Sequence, residues 1–145
     1  MTIEKFLRQY RIADKKVKQL EREISKEQFL IDSIRSPLGN SGEPHGTGIS
    51  KTVEARAIRI ADKKDEFEEA KCRAAEIRQM VYEVVLKVDD IESEVLYEYY
   101  IDYFDEKKQK PKTWDDVADK IHVDSRTVYR IKNRALRKLS LNVSI

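Results

Sequence analysis

The sequence is short of glycine, proline and cysteine. Among 145 residues there are four glycines, three prolines and one cysteine, and aromatic residues make up 8%. An all-β domain needs far more turn chemistry than this, so that class is excluded. A single Cys72 cannot close an internal disulfide, which fits a reducing compartment. No run approaches 18 consecutive apolar residues, so no membrane-spanning helix is expected. The opening MTIEKFLRQYR has charges every few residues and no apolar stretch, so no signal peptide is expected either. What is abundant is charge: 39% of the chain is Asp, Glu, Lys or Arg, the composition of a helical, partly coiled-coil chain. The expectation is an all-α, soluble, cytoplasmic protein.

Net charge is +2, but it is unevenly placed. Residues 1–100 carry 18 basic and 20 acidic side chains, residues 101–123 carry 5 and 6, and residues 124–145 carry 6 and 1. A basic C-terminal segment points toward a polyanion, nucleic acid above all, although cations also suit a helix C-terminus without any partner.

Apolar residues recur at Ile3, Phe6, Tyr10, Ala13, Val17, Leu20, Ile24, Ile31 and Ile34, in steps of three and four that Glu27 interrupts. A second run follows Ile60, Phe67, Ala70, Ala74, Ile77, Val81, Val84 and Val88, with Lys63 as its polar interruption. These seams predict two long glycine-free helices folded back as an antiparallel, coiled-coil-like hairpin over residues 1–88. Between them, residues 35–50 hold all four glycines and two of the three prolines, which predicts a flexible loop. His45 in that loop has no second ligand nearby, and Cys72 has no His or Cys neighbour, so no metal site is expected. One stripe per helix makes a thin core, so the hairpin is expected to pack on further surface, with a homodimer as the preferred form.

A second domain is expected over residues 89–145. Asp89 and Glu92 have capping-box spacing ahead of a helix at 91–104, whose Tyr97, Tyr99, Tyr100 and Tyr103 suit a core better than a base-stacking platform. Residues 105–112 are expected to be a polar linker. Thr113 and Asp116 then cap a short helix that turns Trp114, Val117, Ala118 and Ile121 inward. His122 and Val123 break the period, and Asp124 caps a third helix over 125–139 that buries Val128, Ile131, Ala135 and Leu139.

A short helix, a brief turn and a basic second helix have the pattern of a helix-turn-helix. In that arrangement Ser125, Arg126, Tyr129, Arg130 and Asn133 are the candidate base-reading residues, since Arg pairs with guanine and Asn with adenine in the major groove. Lys112, Thr113, Lys132, Arg134, Arg137 and Lys138 are the candidate phosphate contacts. A purely structural trihelical bundle is the plain alternative.

The segment TWDDVADKIHVDSRTVYRIKNRALRKL resembles the DNA-binding fourth region of bacterial sigma factors and of related response regulators. The resemblance rests on Trp114 to Ala118, on Asp124 with Thr127 and Val128, and on Arg134-Ala135-Leu136 with Leu139. With a long charged coil in front, the chain looks like the late-gene transcription regulators of Gram-positive phages known as the RinA and ArpU types. The likeness covers residues 89–140 and is only architectural before them, and the linker 105–112 is longer than that family's usual turn. It implies a phage or prophage transcription regulator that binds double-stranded DNA, with host RNA polymerase as a further candidate partner. No segment resembles the promoter-melting second region of sigma factors. A DNA-packaging adaptor of the small-terminase kind, and a coiled-coil interaction module without DNA binding, are the alternatives. No phosphate loop, nucleophile elbow or metal-spaced Cys/His pair is present, so neither an enzyme nor a cofactor is expected.

Overall fold

The computed structural model describes residues 2–35 and 47–142, which form a mostly helical chain with one two-stranded sheet. Helix α1 runs Ile3–Arg35 and α2 runs Thr47–Val85. The expected flexible loop at 35–50 is corrected at both edges. Arg35 is still in α1, and α2 already includes Thr47 to Ser50, so it contains Gly48. The rest of that loop, His45 included, lies outside the described residues. Helix α2 also stops before Val88, which packs from the turn that follows. That turn is closed by Ser93, whose hydroxyl donates to the carbonyls of Val85 and Val88 at 2.8 and 3.2 Å. A side chain thus satisfies helix-end carbonyls without a glycine.

The described chain divides into two compact units, Asp14–Arg73 and the combination of Met1–Ala13 with Ala74–Ile145; the boundary at residue 88 lies inside the second of them. Within Asp14–Arg73 the helices are antiparallel. Glu23 of α1 meets Lys63 of α2 at 2.8 Å, and Glu27, further along α1, meets Arg56, earlier on α2, at 3.1 Å. The two polar interruptions of the seams, Glu27 and Lys63, therefore each pair with an opposite charge on the facing helix. Leu20, Ile31 and Ile60 are the buried apolar side chains described in this unit.

The other unit has a continuous core. Ile3 and Leu7 of α1 and Val81, Val84 and Val85 of α2 join the residues that follow them in one buried cluster. Helix α3, Asp90–Leu96, continues into a π-helical turn over Tyr97–Ile101, closed where the Asp102 N–H donates to the Tyr97 carbonyl at 2.9 Å. The expected helix 91–104 thus ends at Ile101. Tyr103 and Phe104 keep apolar spacing but belong to a hairpin, with β1 at Phe104–Asp105 and β2 at Lys110–Pro111 paired antiparallel. This hairpin replaces the expected linker. The Asp105 carboxylate accepts from the N–H groups of Lys107 and Lys108, and Gln109 takes a left-handed conformation (φ 53°). Together they turn the chain without a glycine.

Helix α4, Trp114–Lys120, begins with the expected capping box. Thr113 Oγ1 accepts from the Asp116 N–H, and the Asp116 carboxylate accepts from the Thr113 N–H. It ends in a Schellman motif: the Val123 N–H donates to the Ala118 carbonyl and the His122 N–H to that of Asp119. His122 occupies the left-handed position, with φ 61°. Helix α5, Ser125–Asn142, opens where Asp124 Oδ1 accepts from the Thr127 N–H at 2.7 Å. It buries Val128, Ile131, Ala135 and Leu139 as the spacing predicts, and Leu136 as well.

The tyrosines behave as core. Tyr100 and Tyr103 are buried, and Tyr99 stacks on Trp114 with ring centroids 3.7 Å apart and planes 6° from parallel. The Arg11 guanidinium lies 4.7 Å from the Tyr99 ring and the Lys132 ammonium 5.1 Å from the Trp114 ring. Cations therefore approach both rings of the stacked pair, which helps hold α1, α4 and α5 around the π turn. Burial and the adjacent Glu4 carboxylate push the Tyr100 hydroxyl up to about 12.

Candidate nucleic-acid interface

The four buried residues Val128, Ile131, Ala135 and Leu139 fix which side of α5 faces out. Opposite them, Arg126, Arg130, Asn133 and Arg137 fall at i, i+4, i+7 and i+11, one ridge along the helix. All four are exposed, and Tyr129 flanks them at 42% exposure. The ridge spans about 16 Å at the rise of an α-helix. None of the three arginines has a carboxylate within ion-pairing distance among the described residues. Asp124, held below the ordinary carboxylate range by its hydrogen bonds from Thr127, attracts Arg126 and Arg130 from the helix start.

The other candidate residues are placed differently. Ser125 donates its hydroxyl to Asp115 Oδ1 at 2.7 Å, tying the start of α5 to α4. Both the hydroxyl and the backbone N–H of Thr113 are engaged in the cap of α4. Lys112 is buried, with its ammonium 2.7 Å from Glu98 and 3.4 Å from Asp102; these carboxylates hold its pKa above the ordinary lysine value despite its burial. Lys132 lies over the Trp114 and Tyr129 rings. Arg134 and Lys138 turn toward α3: Lys138 contacts Glu92 at 2.6 Å and Asp89 at 3.0 Å, and Arg134 contacts Glu92 at 3.5 Å. Lys138 is correspondingly raised and Asp89 lowered, chiefly by these contacts.

Asp89 and Glu92 therefore do not form the expected capping box. Asp89 precedes α3 without a side-chain cap, because both carboxylates are directed to α5. The sequence carried a signal for this. Glu92 sits three and four residues before the buried Val95 and Leu96, in the phase of an apolar stripe. A carboxylate in that phase needs a cation from another element.

Among the described residues, no group of His, Cys, Asp and Glu side chains is placed to hold a metal ion, and no helix is long and apolar enough to cross a membrane. No family model, curated protein or solved structure matches the chain.

Proposed function

We propose that the protein is a sequence-specific DNA-binding regulator in which α4, the turn through His122 and α5 act as a helix-turn-helix. The observation that carries this reading is the exposed ridge Arg126–Arg130–Asn133–Arg137. Three guanidinium groups and one carboxamide line up on the face opposite the core, with no carboxylate paired to them among the described residues. Such a ridge suits the major groove, where Arg126 and Arg130 can address guanine and Asn133 adenine. Arg137, farther along α5, suits a phosphate, and Tyr129 offers a flanking contact.

Transcription regulation and a phage or prophage setting rest on the resemblance of residues 89–140. The N-terminal helix pair is the proposed site of dimerisation or of contact with RNA polymerase; Phe29 and Ile58 in it are 69% and 58% exposed. A two-fold dimer would bind half-sites about 10 bp, or a multiple of that, apart.

Fluorescence anisotropy tests the reading, using a duplex selected from a random-sequence library by the full chain beside a scrambled duplex. The expected result is salt-sensitive binding that prefers the selected duplex. Arg130→Ala should lose about 1–3 kcal/mol on the selected duplex and little on the scrambled one. Weak binding, equal on both duplexes and indifferent to salt, would overturn the proposal.

A further inference from the structure

We infer that Glu92 is the positioning residue of the reading helix and also limits the charge it offers to DNA, an inference that rests on the DNA-binding reading above. Glu92 is fully buried on α3, where a carboxylate is costly unless opposite charges meet it. Its Oε1 takes both Lys138 and Arg134, while Oε2 has no hydrogen-bond partner among the described residues. The two cations stand one turn apart on α5. Held at one fixed point on α3, they tie α5 at one position along its axis, on the face that its buried stripe has already chosen. The ridge Arg126–Arg130–Asn133–Arg137, which faces away from that stripe, is thereby held at a fixed height on the unit.

The charge consequence is separate. Six cations lie between Arg126 and Lys138. Glu92 engages two of them and the Trp114 and Tyr129 rings engage Lys132. Among the described residues, the cations left without such partners are those on the ridge. Attraction to any phosphate backbone is thereby limited, and a larger share of binding falls to residues that touch bases.

Glu92→Gln in the full chain tests both roles. Gln keeps the shape, Lys138 keeps its contact with Asp89 at 3.0 Å, and Arg134, 52% exposed, can turn to water, so no unpaired charge is left buried. Circular dichroism would check that the variant is folded. Anisotropy between 50 and 200 mM salt on the selected and scrambled duplexes should show scrambled binding about fivefold tighter, with a salt slope steeper by about one. Preference for the selected duplex should fall by at least the same factor. Adding Arg134→Gln to that variant should restore the wild-type slope. A folded Glu92→Gln chain with unchanged slope and preference, or with equal loss on both duplexes, would overturn the inference. Arg134→Gln alone gives a test that does not depend on Glu92→Gln folding. An unchanged slope supports sequestration, and a slope shallower by about one overturns it. Salt-indifferent binding by the wild-type chain would overturn the DNA reading itself, whereas wild-type binding with an unaltered Glu92→Gln profile would overturn this inference alone.

Discussion

The two compact units hold themselves together by different means. In Asp14–Arg73, two helices meet along a narrow seam where Leu20, Ile31 and Ile60 are buried and Glu23–Lys63 and Glu27–Arg56 fill the polar gaps. In the other unit, residues far apart in the chain, from Leu7 to Val81, Val95, Trp114 and Leu139, share one core. A seam of this kind follows from the spacing of apolar residues on each helix. A core assembled from several short elements follows instead from caps, turns and the few polar side chains that bridge them. The comparison shows where each unit is vulnerable: the first along its seam, the second at single buried positions.

That difference can be measured. Leu139→Ala, which hollows the multi-element core, should cost about 3 kcal/mol in urea unfolding. Leu20→Ala should cost less, about 2 kcal/mol, and should raise amide exchange mainly in residues 14–35. Equal costs with global exchange in both variants would show that the units unfold as one. Asp116→Asn should cost about 1 kcal/mol by weakening the box that starts α4.

The same carboxylate predicts an acid response. The Lys108 ammonium, then the Thr113 N–H, holds Asp116 down to about 2, from an ordinary value of 3.8. A carboxyl lowered by folding stabilises the fold fully above its unfolded value and loses that contribution as pH falls through the folded one. The wild-type chain should therefore lose part of its margin over Asp116→Asn between about pH 4 and pH 2. A margin constant across that window would remove Asp116 from the cap. The smallest effect is expected at the seam, where Glu23→Ala should leave the urea midpoint nearly unmoved, because an ion pair whose two side chains stay about a third open to water contributes little.

The sequence by itself determined the helical class, both long helices, the capping box at Thr113, the start of α5 at Asp124 and the buried stripe from Val128 to Leu139. These are local: each depends on spacing within one element or on a side chain reaching its own backbone. For the same reason the exposed ridge of α5 was legible, since it is the complement of that stripe. Only the tertiary structure decided the rest. Tyr103 and Phe104 keep helical spacing yet enter a hairpin, because Asp105 and a left-handed Gln109 turn the chain there. The turn at His122 and Val123 was legible in the broken period, but not its form, in which His122 takes the left-handed conformation usually given to glycine. Lys112, Arg134 and Lys138 looked like free cations, and in the fold they meet Glu98, Asp102, Glu92 and Asp89. Whether a charge is available or already paired depends on residues up to 49 positions away, as between Asp89 and Lys138. No local pattern encodes that distance.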